Sequence, residues 1–275
     1  RWNREAAGAV GRLSTEGLEI ALKEFEGLLG PGKNAKELIS LFRRSYLEHH
    51  NLAKATRCLA NELFGEKGLV IVDGDDRDLK SLFAPKVKEE LLDRSCFSSV
   101  SETSDSLANN YHIQVNPREI NLFYLTDELR ERIVFEGGIY RVNQTGITFS
   151  EESILKELED HPERFSPNAL MRPLYQEVIL PNLSYTGGGG ELAYWMQMKQ
   201  YFEKVDVPFP ILHLRNSALL VYKKESRKME KLGIEVKDIF LDQNELISNQ
   251  VKQVSDIKID FSPERRILEE MFESM

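Results

Sequence analysis

The sequence predicts an α/β protein: a mainly parallel sheet with flanking helices, preceded by a helical segment and carrying a small antiparallel β insertion. Three observations carry that prediction. Residues 14–65 place apolar side chains at helical spacing. From Gly68 onward, short apolar runs alternate with helical stretches, the pattern of parallel strands joined by helices. Between about 119 and 149, turn residues separate four short runs, which reads as an antiparallel meander.

Each element can be justified in order. Leu18, Ala21, Leu22, Phe25, Leu28 and Leu29 form one helical stripe, ended by Gly30-Pro31. Asn34, with Glu37 three residues later, predicts a capped start for a second helix through Leu38, Ile39, Phe42, Ser45 and Tyr46. Leu52, Thr56, Leu59, Ala60 and Leu63 mark a third. Short amphipathic helices of this kind need a partner surface. Residues 69–72 are wholly apolar, β-branched and followed by acids, as in a buried parallel strand. A helix is expected from about 81 to 93, then a part-helical stretch at 95–110.

In the insertion, Gly137-Gly138 and Asn143-Gln144-Thr145-Gly146 are turn signals between runs at 120–125, 132–135, 140–142 and 147–149. Helices follow at 151–160 and 174–179, a strand at 182–186, a helix at 191–204 and a strand at 211–214. An apolar run at 218–222 leads to helices near 223–232, 244–254 and 263–273. The chain therefore divides into a helical segment, 1–66, and a Rossmann-like α/β core, 67–275, with 68–72, 182–186 and 211–214 as neighbouring strands.

Composition narrows the function classes. Of 275 residues, 41% are hydrophobic and 29% charged, enough for a sizeable core in one large domain or two smaller ones. A net charge of −9 argues against a general nucleic-acid surface, because neutralising phosphates takes clustered Lys and Arg. Lys223, Lys224, Arg227 and Lys228 read as one solvated helix face. Cys58 and Cys96 fit no CxxC or zinc spacing and are expected to be reduced thiols of a cytoplasmic protein. His49, His50, His161 and His213 have no metal-ligand spacing. The longest apolar run, 69–72, is far short of a membrane span.

Candidate chemistry concentrates in residues 165–217. The apolar run 182–186 feeds Gly187, Gly188, Gly189 and Gly190, and these feed an amphipathic helix. That order sets backbone N–H groups and a helix N-terminus beside one small cavity, which suits an anion. The spacing matches neither GxGxxG nor a Walker loop, and by itself a flexible turn fits as well. Glu191 stands ready to hold an amine or hydroxyl. Arg172 and Arg215 are candidate clamps for carboxylate or phosphate, with ordinary surface ion pairs as the alternative. Gln176 is four residues beyond Arg172 and shares its helical face. Asp73 and Asp75 leave a predicted strand at its C-terminal end, where open α/β sheets bind ligands, and can grip a hydroxyl, an amine or a metal ion. An EF-hand is excluded by Arg77 and Ala84 at its fifth and twelfth positions.

Several segments together resemble a known family. They are Val72-Asp73-Gly74-Asp75-Asp76, Tyr111-His112-Ile113-Gln114-Val115, Asn121-Leu122-Phe123-Tyr124, Arg172-Pro173-Leu174-Tyr175-Gln176, Leu180-Pro181-Asn182, Gly187 through Tyr194, and Arg215-Asn216-Ser217. In this order, over roughly residues 40–220, the chain resembles the cysteine-adding enzymes of bacillithiol biosynthesis. Family members usually carry Pro where this chain has Gly189, so the turn is expected to be looser here.

The resemblance implies a ligase that adds L-cysteine to the amine of glucosaminyl malate. It implies catalytic roles for His112, Glu191 and Asp73. It also implies substrate contacts from Asp75, Gln114, Arg172, Gln176, Tyr185, Gly187, Gly188, Gly190, Arg215, Asn216 and Ser217, with no metal. Forming an amide from a free carboxylate is uphill in water, so ATP or another activating nucleotide is the expected donor. No nucleic-acid or membrane partner is expected, and the full-length family is expected to be homodimeric. Its members extend beyond both ends of this chain, with a strand-bearing segment before and a coiled coil after. The chain is thus expected to be a central portion, inactive or nearly so alone. Two other readings stay open: a nucleotide-sugar or nucleotidyl transferase on a similar sheet, and a non-catalytic binding fragment.

Overall fold

Three helices stand where the apolar stripes predict them: α1 (Leu18–Leu29), α2 (Lys33–Leu47) and α3 (Leu52–Phe64). Gly30 ends α1 with φ 70°, a backbone that favours glycine. Phe25, Phe42 and Tyr46 join α1 to α2, with ring centroids 4.8 and 5.9 Å apart. Asn51 caps α3 by accepting the Lys54 N–H at 2.9 Å. The start of α2 differs from expectation: Asn34 lies inside its first turn, and Gly32 is the N-cap without a side-chain bond. The structure is a computed structural model that describes residues 7–254 and 262–274, in two units divided after Arg215.

The larger sheet is antiparallel, which corrects the mainly parallel sheet expected from the alternation. β1 (Leu122–Leu125), β2 (Arg130–Glu136), β3 (Ile139–Val142) and β4 (Thr148–Phe149) form the expected meander, and β5 (Phe165–Pro167) extends it in the order β4-β3-β2-β1-β5. Gly137 and Gly138, at φ 59° and 80°, make the two-residue turn closed by the Glu136–Ile139 pair; this hairpin turn requires positive φ at both positions. The meander is no separate insertion. Its buried Leu122, Tyr124, Ile133, Tyr140 and Val142 share one core with α4 (Arg77–Asp93), α5 (Ser95–Leu107), α6 (Glu151–Asp160) and α7 (Met171–Ile179). Consecutive strands can pair antiparallel through short turns, whereas each parallel pair needs a crossover.

A buried polar tie holds this core in register. Glu90, fully buried, accepts the backbone and side-chain N–H of Asn121, each at 2.9 Å, and the Cys96 N–H at 3.0 Å. Burial pushes its carboxyl above the ordinary value against those bonds.

Parallel pairing, among the described residues, is confined to β6 (Ser184–Gly187) and β7 (Ile211–Leu214), as expected for those two runs. The third expected strand, 69–72, is not a strand. It has no ladder partner among the described residues, and Val70 is 80% exposed. Apolar composition cannot make a strand without a neighbour to take its backbone hydrogen bonds. Ile71 and Val72 instead line an apolar cavity of about 740 Å³ together with Leu22, Phe25 and Phe42.

The helix expected at 191–204 is two, α8 (Gly189–Met196) and α9 (Lys199–Lys204), and the one expected at 174–179 begins at Met171. The apolar run 218–222 forms no regular element. Beyond Arg215 the described elements are helical: α10 (Lys223–Leu232), α11 (Gln243–Val254) and α12 (Ser262–Glu273), with a 3-10 turn at Asp238–Phe240. The α/β core read as running to 275 has its last described strand at β7. No helix among the described residues is long and apolar enough to cross a membrane.

Candidate functional site

β6 and β7 run parallel, with Gly187 opposite Leu214, so both end at one edge, where open α/β sheets bind ligands. The Arg215 N–H extends the ladder by donating to the Gly187 carbonyl at 2.9 Å. Register alone therefore sets Arg215 beside the glycine turn, residues 187–190. α8 begins at Gly189 with Gly188 as its N-cap, as the sequence predicts for an anion-accepting helix start.

The four glycines meet different needs. A Cβ on Gly187 would stand 2.8 Å from Tyr185 Cε1 and 3.2 Å from Leu192 Cδ2. One on Gly188 would stand 3.4 Å from Cζ, Nε and Nη2 of Arg215. Gly189 and Gly190 face open space. None of the four has positive φ, and Gly188 is extended at φ −72°, ψ 163°. Close approach, not left-handed backbone, is what Gly187 and Gly188 provide.

Glu191 is tied into the turn. Its Oε2 accepts the Gly188 N–H at 3.1 Å and its Oε1 the Tyr185 hydroxyl at 3.0 Å. The first bond is the carboxylate half of a capping box, whose other half glycine cannot supply. The Gly188 N–H, then the Tyr185 hydroxyl, hold the carboxyl below its ordinary value, and the charges of Arg172 and Arg215 act the same way. Tyr185 stacks on the buried Trp195 at 4.2 Å between ring centroids.

Arg172 projects from α7, whose buried face carries Met171, Leu174 and Tyr175. Asn168 fixes the start of that helix by accepting the N–H groups of Leu170 and Met171 at 2.9 and 3.1 Å. Arg172 Nη1 donates to Gln176 Oε1 and Nη2 to the Tyr194 hydroxyl, both at 3.2 Å. Burial acts to lower its pKa, but bonds to Tyr194 and Tyr185 leave it raised. Its hydrogen-bond partners are neutral, which leaves the guanidinium charge available to an anion. Arg172 thus links Gln176 and Tyr194 to Tyr185, Tyr185 bonds Glu191, Glu191 accepts from Gly188, and Arg215 lies against Gly188.

The acidic turn behaves differently. Asp75 accepts Arg12 Nε at 2.5 Å and Nη2 at 3.1 Å, and Lys80 Nζ at 2.6 Å. Lys80, 4% exposed, also donates to the Glu163 carbonyl at 2.9 Å. Burial pushes the Asp75 carboxyl up, but the hydrogen bonds from Arg12 and Lys80 outweigh it and leave the carboxyl below its ordinary value. Asp76 caps α4 through the N–H groups of Asp78 and Leu79. Asp73 accepts the Asp75 N–H at 3.0 Å, forms no ion pair among the described residues, and reaches the rim of the apolar cavity.

His112 is exposed and makes no hydrogen bond among the described residues. The side chain of Gln114 is exposed too, while its backbone N–H donates to Gln197 Oε1 at 3.2 Å. Asn216 and Ser217 are exposed at the start of the second unit. Cys58 and Cys96 are free thiols.

Sequence reasoning missed Tyr175, Glu177, Tyr194 and Gln197. Glu177, 3% exposed, accepts the Asn182 N–H at 2.8 Å and its side-chain amide at 2.9 Å, which fixes the entry to β6. Its spacing from Pro173 and Leu174 put it on the buried face, the one signal that could have marked it. Gln197, 1% exposed, spans the Val115 carbonyl and the Ser104 hydroxyl, at 2.8 and 2.9 Å. No local pattern announces it.

Two family models match the chain. The one described as Bacillithiol biosynthesis BshC, N-terminal Rossmann-like domain, matches residues 1–216; Bacillithiol biosynthesis BshC, C-terminal coiled-coil domain, matches 218–275. The chain is 53% identical over 280 residues to a protein of Christiangramia forsetii, covering 100% of this chain and 52% of that protein. It is 52% identical over 273 residues to one of Flavobacterium johnsoniae, covering 99% and 51%. It is 29% identical over 252 residues to one of Bacillus pumilus, covering 80% and 43%. All three carry the name "Putative cysteine ligase BshC". The chain spans about half the length of the curated relatives it matches.

Proposed function

The chain belongs to the bacillithiol biosynthesis BshC family, and from that premise we propose that its parent enzyme joins L-cysteine to the amine of glucosaminyl malate. One observation supports this reading most: the charges of both Arg172 and Arg215 act on Glu191, which lies in the first turn of a helix that starts at the shared edge of two parallel strands. Such a cradle suits the carboxylates and phosphates that this reaction must hold.

The bond formed is an amide between the cysteine carboxyl carbon and the sugar amine. The amine loses a proton, and the oxygen leaving the carboxyl must depart as part of a better leaving group than hydroxide. An activating nucleotide would supply that group, and the glycine turn with Arg215 would hold its phosphates, while Arg172 would hold a substrate carboxylate. Glu191, already bonded to Gly188 and Tyr185, would orient the incoming amine, and Asp73, which forms no ion pair among the described residues, offers a second carboxylate. His112, exposed in its loop, is assigned proton transfer in this scheme. Asp75 keeps a supporting role, since Arg12 and Lys80 occupy its oxygens. The two free thiols fit a cytoplasmic enzyme, and the coiled-coil match over 218–275 fits a homodimeric parent.

Metabolite analysis of cells lacking the parent gene tests the proposal. Glucosaminyl malate should accumulate and bacillithiol should vanish, with rescue by the intact gene. Normal bacillithiol in a strain without a second copy would overturn it. Protection of the glycine turn by nucleotide sugars with no dependence on cysteine would favour a transferase instead.

A further inference from the structure

Tyr175 is used by none of the roles above, yet it joins the two halves of the candidate site. Its hydroxyl donates to the Gly74 carbonyl, in the middle of the acidic turn, at 3.1 Å. Its ring is 5% exposed and packs on Phe83 of α4 at 5.0 Å between centroids. A Cβ on Gly74 would already lie 3.7 Å from that ring, so the turn sits directly against it. Tyr175 also lies three residues after Arg172 on α7, and residues so spaced are surface neighbours with Cβ atoms about 5–6 Å apart. One helix thus carries the tether to the acidic turn and the cation that faces the glycine turn.

The charges at the two ends of this tether differ in sign. In the acidic turn, Asp75 is neutralised by Arg12 and Lys80, and Asp76 is engaged as the cap of α4. Among the described residues, Asp73 alone of the three has neither an ion pair nor a helix to cap. On α7, the hydrogen bonds of Arg172 among the described residues go to the neutral Gln176 and Tyr194. Burial, then the neighbouring aspartates, raise the Tyr175 hydroxyl to about 12, so it stays a neutral donor at all working pH values.

We propose that Tyr175 is a positioning residue that locks the acidic turn to the Arg172 helix, so that Asp73 and Arg172 together hold one zwitterionic amino acid, ammonium to Asp73 and carboxylate to Arg172. The proposal rests on the ligase reading and deepens it, by assigning L-cysteine rather than the sugar to this pair. Tyr175 itself touches no substrate.

The test uses Tyr175→Phe in the full-length parent, since the ring and its packing are kept and only the hydroxyl is lost. The KM for L-cysteine should rise about five- to tenfold, the loss expected for one hydrogen bond, with kcat and the KM for glucosaminyl malate changed less than twofold. Asp73→Asn should raise the same KM, and the double variant should show less than the product of the two effects. An unchanged KM for L-cysteine, an equal rise in both KM values, or fully multiplicative effects would overturn the proposal. A second readout separates it from the ligase reading, which fails alone if the wild-type parent turns over neither substrate. Backbone hydrogen exchange at Asp75 and Asp76 should be faster in Tyr175→Phe, and unchanged exchange there would refute the tether whatever the reaction.

Discussion

The guanidinium of Arg215 lies directly against Gly188, with three of its atoms 3.4 Å from the position of a Cβ there, so that a β-branched side chain would have to press on it. The parallel register sets this relationship, because the Arg215 N–H closes on the Gly187 carbonyl. Neither residue can be understood without the other.

Gly188→Val should therefore displace Arg215 while leaving the fold intact, because an extended backbone at φ −72° accepts any residue. Titration calorimetry of the full-length protein with phosphate or citrate should show affinity reduced at least tenfold, about the worth of one charge-assisted hydrogen bond. Unchanged affinity with normal circular dichroism would remove Arg215 from the anion site.

Gly189 is the first residue of α8, its Cβ position is open, and the preceding Gly188 already has the extended conformation that proline demands. Gly189→Pro should stabilise the protein by about 0.5–1 kcal/mol by restricting the unfolded chain. Thermal melts would read this as a higher Tm with anion binding retained.

Arg172→Ala in the parent should lower kcat/KM by about ten- to a hundredfold, the loss of one or two charged hydrogen bonds to substrate. Arg172→Lys should recover little, because an ammonium cannot serve Gln176, Tyr194 and an anion together in the fork geometry of a guanidinium. Steady-state kinetics beside a thermal melt distinguishes lost chemistry from lost folding.

Asp75→Ala would leave Lys80, 4% exposed, without its carboxylate, and should cost about 3 kcal/mol in urea unfolding. The pH dependence follows from the sign of the shift. The folded pKa of Asp75 lies below its ordinary 3.8, so its stabilisation is present above that value and is lost as pH falls through the lower folded value. Stability measured from pH 5 downward should fall in the native protein, and the slope should be shallower in Asp75→Asn.

Glu191→Gln should leave stability within about 0.5 kcal/mol, since Gln also serves at the third position of a capping box. Turnover by the parent should nevertheless drop at least tenfold, because the amide cannot attract an ammonium or share its proton. Full activity in this variant would confine Glu191 to capping the helix.

Much of the fold was legible because it depends on neighbours in sequence. The stripes that became α1, α2 and α3 are periodic over a few turns, and Gly137-Gly138 names its own hairpin. The glycine turn feeding α8 was legible in the same way, as was the shared face of Arg172 and Gln176. Residues 69–72 were misread because apolar, β-branched composition describes what a strand is made of, while a ladder needs a second segment.

The sequence by itself determined the helices, the meander, the glycine turn and the family, all of which are written in local periodicity or in motif order. Only the tertiary structure decided that this antiparallel meander, extended by β5, is the larger sheet, and what use is made of each polar side chain. Asp75 and Asp73 are two residues apart, yet one is occupied by Arg12 and Lys80 and the other pairs with no cation among the described residues. Tyr175 meets Gly74 across about a hundred residues, and Arg215 meets Gly188 through strand register. Electrostatic and hydrogen-bond partners are chosen by distance in space, and distance in space is not a property of any short stretch of chain.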